Sequence, residues 1–230
     1  MPAIADWIQG PEWAVAVTVA AYAAALLLRN KFKWMHPLFT GAAAVILFLT
    51  FTDISYEDYR IGGDLILFML GPATVALGVP LYKHSQRLRR HIPGILAGVM
   101  AGSVVSIAGA WLLASVSGLS TAILYSMIPK SVTAAVSVPL SEQLGGIPEL
   151  TAVLTVLTGL IGSMFGPMVL KLFGIRRDLA IGVAVGTASH GIGTARLVND
   201  SEWQASVSAL SMSLSCIITP IFILPLYWLI

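Results

Sequence analysis

Eight apolar runs, at about 13–29, 36–52, 64–82, 92–116, 122–140, 150–172, 179–196 and 203–230, follow one another with little chain between them. A helix needs about 20 mostly apolar residues to cross a bilayer at 1.5 Å rise per residue. Segments of that kind fill all 230 residues and leave no soluble domain over. Composition points the same way: only 10% of residues are charged, against roughly 25% in soluble domains. The expectation is an all-α, polytopic integral membrane protein with about six to eight transmembrane segments. It reads as one transmembrane domain over 1–230, with N-terminal helices at 1–118 and a core at 119–230.

Charge sets the topology, because cytoplasmic loops carry an excess of Lys and Arg. Arg29, Lys31 and Lys33 follow the first run, and Lys83, Arg87, Arg89 and Arg90 follow the third. The loop at 53–60 instead carries Asp53, Glu57 and Asp58. These assign 29–35 and 83–91 to the cytoplasm of a bacterial-type inner membrane. The start of the chain, with Asp6 and no basic residue up to Pro11, falls outside and lacks the charged opening of a cleaved signal peptide. Strict alternation would then place Lys171, Arg176 and Arg177 outside as well, against the rule. The conflict disappears if 122–140 enters and leaves by one face. Ile128-Pro129-Lys130-Ser131 offers the break, since proline removes an internal hydrogen bond and disfavours helix at the residue before it. The run at 179–196, broken at its glycines from Gly186 onward, becomes a second re-entrant element entering from the cytoplasmic side. Eight plain crossings, two of them unwound midway, form the competing topology.

A repeat accompanies the breaks. At an offset of 53 residues Glu149 matches Glu202, Ala152 matches Ala205, Leu157 matches Leu210 and Pro167 matches Pro220. Units 122–172 and 179–230 thus read as an inverted repeat, the plan of many secondary transporters with a midplane site between broken helices. Gly71-Pro72 and Val79-Pro80-Leu81 hint at a third, diverged copy with a similar break.

The stretch Gly186 to Arg196, GTASHGIGTAR, places glycines, hydroxyls, a histidine and an arginine at membrane depth. Irregular backbone survives there only where protein or a water-filled cavity satisfies it. Lys130 and Arg196 are the basic side chains at the breaks, and every acidic residue lies at a segment end or in a loop. Half-helix N-termini at the midplane also favour an anion. Candidate ligands for one small carboxylate are therefore Lys130, Ser131, Thr133, Thr187, Ser189, His190, Gly191, Gly193, Thr194 and Arg196, with Pro129 and Gly186 as helix breaks. Each has an ordinary alternative. Lys130 snorkels to the headgroups, Arg196 pairs with Glu142, Asp200 or lipid phosphate, the hydroxyls bond neighbouring helices, and Gly182 with Gly186 forms a small-xxx-small packing pair.

Other chemistries find no support. Adjacent Ser189 and His190 point apart on a regular element, and no GxSxG elbow is present. Gly191-Ile192-Gly193 lacks the third glycine and flanking strand of a dinucleotide loop. No HExxH or carboxylate cluster suggests a metal, the lone Cys216 excludes an intrachain disulfide, and a dispersed net charge of +2 does not suit nucleic acid. A protein without enzymatic activity or cofactor is expected, with H+ or Na+ as coupling ion.

Two motifs carry a resemblance. Pro129-Lys130-Ser131-Val132-Thr133, then Ser141-Glu142-Gln143-Leu144-Gly145-Gly146-Ile147-Pro148 and Leu150-Thr151-Ala152, together with GTASHGIGTAR, resemble the LrgB/CidB family. The likeness is close over about 120–230 and rests on hydropathy and length before that. Thr133-Ala134-Ala135-Val136-Ser137 departs from the Thr-Thr-Pro-Ile-Ala often found there. The resemblance implies antiholin-like regulators of murein hydrolases, plant plastidial glycolate/glycerate transporters, and bacterial uptake of pyruvate and similar acids with a small LrgA/CidA-type membrane partner. Residues and resemblance together imply a secondary transporter of short 2-hydroxy or 2-oxo monocarboxylates, single or as a homo-oligomer. An antiholin-like regulator of lysis is the alternative. A cation/proton exchanger is disfavoured, since no carboxylate sits at a break.

Overall fold

A computed structural model describes residues 10–32, 37–76 and 78–227, so Asp6 and Lys33 of the topology argument lie outside the described residues. Every regular element among them is helical. Two compact units divide after Ala76.

The first unit holds α1 (Glu12–Lys31), α2 (Pro37–Thr52) and α3 (Tyr56–Ala76). Helix α1 packs on both others. Thr18 and Tyr59 share a hydrogen bond of 2.7 Å, and Trp13 meets Tyr59 edge-on. Leu67, Phe68 and Phe51 are exposed, the outward apolar surface of helices whose solvent is lipid. The break expected at Gly71-Pro72 does not end a helix, because α3 carries Pro72 inside it.

The second unit contains α4 (Gly78–Lys83), α5 (Ser85–Arg89), α6 (Ile92–Val116), α7 (Thr121–Met127), α8 (Ala134–Leu144), α9 (Pro148–Leu172), α10 (Asp178–Asp200) and α11 (Glu202–Tyr227). Three of these, α6, α9 and α11, are long and apolar enough to cross a membrane, as is α1. The protein is an all-helical, polytopic membrane protein.

Helices α7 and α8 with the turn between them form a hairpin. Ile147 N–H donates to Ser126 Oγ at 2.7 Å, and Thr151 Oγ1, one turn into α9, lies 2.6 Å from Ser141 Oγ and 3.2 Å from Ser126 O, within hydrogen-bond reach of both. A continuous helix would hold Ser126 and Ser141 about 22 Å apart. They instead flank the same turn of α9, so the chain reverses between them. The reversal occupies Ile128 to Thr133, where Pro129 stands. Helix α8 then ends on Gly145 at φ +83°, the left-handed cap that glycine adopts without steric cost.

Helix α10 reverses in the same way, at His190 (φ 39°, ψ −136°). Ile181 and Val185 before the tip pack with Leu197 after it, although a straight helix would separate residues 181 and 197 by about 24 Å. The sequence places this break at Gly186, and the structure corrects that. The helix runs unbroken through Gly186, whose missing side chain admits Ser208 of α11; a Cβ there would fall 2.8 Å from Ser208 Cα. Gly186 is a packing glycine.

The two hairpins enter from opposite ends. Leu124 of α7 and Leu140 and Leu144 of α8 share a buried cluster with Ala110 and Ala114, late in α6, and Ile223, late in α11. Leu179 at the start of α10 packs instead against a cluster of Leu88 of α5 with Ile95, Val99, Trp203 and Val207 from the starts of α6 and α11. The turn at 84–91 and the connector at 173–177 therefore share one end, here the basic end, as the charge argument requires. Helices α7 with α8, and the two arms of α10, fold back on themselves and do not run straight. Each hairpin is followed by a long apolar helix, α9 and α11 respectively.

Candidate functional site

A cavity of about 740 Å³ lies in the second unit, between α6 and α10. Gly94, Gly98, Gly102 and Ser106 recur every fourth residue of α6 and form one wall. Four-residue spacing puts them on one helix face. Ala180, Ala184 and Ala188 of α10 repeat the spacing on the other wall, with Val183 and Thr187. Glycine is needed at the closest approaches: a Cβ at position 98 would fall 2.7 Å from Val183 Cγ1, and one at 102 would fall 2.9 Å from Thr187 Cγ2. Ser131, from the tip of the first hairpin, and Thr158, midway along α9, complete the inner part, while Arg177 stands at the basic end.

The hydroxyls of Ser131 and Thr187 distinguish this cavity. Ser131 is 3% exposed and Thr187 5%, and neither side-chain oxygen has a hydrogen-bond partner among the described residues. A buried polar atom without a partner costs about 1–3 kcal/mol, and natural proteins keep few of them. Ser163 Oγ and His84 Nε2, outside the cavity lining, are also buried without a hydrogen-bond partner among the described residues, and the two in this cavity come one from each of the opposed hairpins. No acidic side chain among the described residues lines the cavity. Beyond it toward the far end, Ile107, Ala110, Ala114, Leu124, Ile128, Leu140, Leu144 and Ile223 form a buried apolar plug.

Of the residues singled out in the sequence, Ser131 and Thr187 line the cavity and the others lie around it. Lys130 is half-buried beside Ser131 and is not among the lining residues. Thr133 Oγ1 lies 3.7 Å from Cys216 Sγ, so that cysteine touches the hairpin tip. Ser189 is buried against α9, where a Cβ at Gly162 would fall 2.8 Å from its own Cβ. His190 Nε2 bonds the carbonyl of Thr155 at 3.0 Å; a carbonyl only accepts, so Nε2 carries the proton. Gly193 lets the two arms of α10 meet, with its Cβ position 2.7 Å from Val185 Cγ1, and Gly191 borders Met212. Thr194 Oγ1 donates to His190 O at 2.8 Å and bonds Ser208 Oγ at 2.8 Å. Arg196 donates from Nη1 to Ser163 O, and its Nε lies 3.9 Å from Asp200 Oδ2, which ties it to α9 and its own helix.

Sequence reasoning passed over Ser106, Thr158 and the three cavity-lining glycines of α6, and used Arg177 for topology alone. The signal existed in the small residues at 94, 98, 102 and 106, but the same spacing marks any tight helix pair in a membrane. A second stripe, Thr151, Thr155, Gly159 and Ser163 of α9, was also passed over. It receives both hairpins: Ser137 Oγ bonds Thr155 Oγ1 at 2.9 Å, and a Cβ at Gly159 would fall 2.6 Å from His190 Cε1.

Comparison with known proteins places this architecture. The description of the LrgB-like family matches residues 18–229. The uncharacterized protein YwbG of Bacillus subtilis (strain 168) is 37% identical over 205 residues, covering 88% of this chain and 91% of its own. The uncharacterized protein YxaC of the same strain is 36% identical over 217 residues, 94% of each chain. The antiholin-like protein LrgB of Bacillus mycoides (strain KBAB4) is 32% identical over 220 residues, 94% of this chain and 95% of its own. No solved structure matches. With a family match and relatives that each run nearly end to end, the chain belongs to the LrgB-like family.

Proposed function

We propose that the protein is a secondary transporter of short monocarboxylates, of the glycolate, glycerate, lactate or pyruvate class, in the inner membrane of a bacterial-type cell. The observation that carries this reading is the pair of unpartnered, buried hydroxyls on Ser131 and Thr187, from two opposed hairpins, in one cavity that no acidic side chain among the described residues lines. Lys130, next to Ser131 and without an ion pair among the described residues, adds positive potential nearby. Opposed broken helices around a midplane site are a plan that alternating access uses. Accumulating an anion against a negative-inside potential costs about 2.3 kcal/mol per charge per 100 mV, so uptake is coupled to H+ or Na+.

The test is uptake of radiolabelled glycolate, lactate and pyruvate by purified protein in liposomes. A hydrogen bond to a charged group such as a carboxylate contributes about 1.5–3 kcal/mol. Ser131→Ala and Thr187→Val are therefore each expected to raise the half-saturating concentration by up to roughly 10- to 150-fold. Liposomes that take up none of these acids under either cation gradient would overturn the reading.

A second reading rests on the relatives, several of which carry the name antiholin-like protein LrgB at 32% identity over 94% of this chain. That name favours a regulator of murein hydrolase export and lysis, working through a small LrgA-type membrane partner, over a carboxylate transporter. On this reading Ser131→Ala and Thr187→Val leave lysis unchanged, and loss of the partner abolishes the effect of the protein on it.

A further inference from the structure

We infer that Arg177 is an anion-recruiting residue at the basic end of the cavity, a station separate from the hydroxyl site farther along it. The inference deepens the transporter reading and rests on it only in taking the solute to be an anion.

Arg177 is the one charged side chain among the described residues that line the cavity. It is exposed and makes no ion pair among those residues. Its neighbour Asp178 faces α11, where Oδ1 accepts from Gln204 Nε2 at 2.8 Å, and does not line the cavity. Arg177 occupies the N-cap position of α10 without a side-chain cap bond, and the Asp178 carboxylate in the same first turn offsets the positive end of the helix dipole, so the guanidinium itself supplies the field argued here. From Arg177 to Thr187 is ten residues, about 15 Å along the axis. The arginine therefore stands nearer the basic end and the hydroxyl of Thr187 farther along the helix, so a solute entering from the basic end meets the arginine first. A cation at the entrance of a low-dielectric cleft raises the local concentration of anions and their rate of entry, in a manner that salt screens.

The chain's single cysteine makes the potential measurable without any solute. In a Cys216→Ser background, Ala184→Cys places a thiol on the cavity wall. Its rates with anionic sulfonatoethyl and cationic trimethylammonioethyl methanethiosulfonate report the local field. With Arg177→Gln added, the anionic-to-cationic rate ratio is expected to fall about fourfold at low ionic strength, for a unit charge about 10 Å away in water. The difference should collapse near 1 M salt, and Arg177→Lys should restore the ratio. In transport, Arg177→Gln should raise KM at low salt with kcat unchanged. An unchanged reagent ratio overturns the inference, even if carboxylates are transported. A ratio that falls as expected in a protein that transports no carboxylate sustains the anion-recruiting mouth and overturns the transporter reading instead.

Discussion

His190 is held at positive φ, a conformation that costs a non-glycine residue of order 1–3 kcal/mol. Its bond to the Thr155 carbonyl and the space left by Gly159 keep it there. The side chain thus fixes the hairpin tip to α9. His190→Ala keeps the backbone cost and loses the bond, whereas His190→Gly loses the bond but relieves the backbone. Thermal unfolding in detergent should therefore find the glycine variant more stable than the alanine variant by about 1 kcal/mol. Equal stability, or an alanine variant that is the more stable, would mean that the tip carries no strain. The residue type at this position was legible as unusual at membrane depth. The role was not, because the partner carbonyl lies 35 residues away.

Among the elements, the start of α11 is the most heavily anchored. Trp203, 7% exposed, packs with Leu88, Ile95 and Val99. The Arg87 guanidinium lies 4.0 Å from its ring centroid, and His84 and His91 meet it edge-on. Beside it Glu202 pairs with Lys83 at 3.2 Å, both side chains more than half exposed. Burial outweighs charge here. Trp203→Ala should destabilise the protein by about 3–5 kcal/mol through the cavity it leaves. Glu202→Gln should cost less than about 1 kcal/mol, as exposed ion pairs do. Chemical unfolding of the two variants side by side checks the order, and a larger loss from Glu202→Gln would refute it. The sequence marked Glu202 as one half of a repeat, matched to Glu149, yet gave no sign that an aromatic next to it would seat the helix. Hydropathy shows that α11 is apolar on average; which face meets α4, α5 and α6 depends on neighbours distant in the chain.

For the second unit as a whole, the opposed hairpins bring the turn at 84–91 and the connector at 173–177 to one end, and the turns at 117–120 and 145–147 to the other. Charge assigns the first end to the cytoplasm. In a Cys216→Ser background, cysteines at Arg89 and Arg176 should react with a membrane-impermeant maleimide only after permeabilisation, and cysteines at Ser117 and Gly145 in intact cells. Labelling of positions 89 and 176 from opposite sides would dismantle the hairpin topology. The sequence by itself determined that the chain lives in a bilayer, because composition and run length decide which solvent a helix can face. It also set two reversing segments against eight plain crossings and favoured the reversals, because the excess of positive charge conflicts with plain alternation and proline weakens the first of them; the choice between the two topologies needed the tertiary contacts. Tertiary structure decided where the second reversal falls. A glycine either breaks a helix or admits a neighbour, and only the presence of Ser208 against Gly186 distinguishes the two. It also decided which polar residues form the cavity. Thr158 lines it with its hydroxyl bonded within α9, Ser131 and Thr187 line it unpartnered, and Thr194 and Ser137 are turned to partners across helices; these placements depend on side chains far along the chain, beyond the reach of any local pattern.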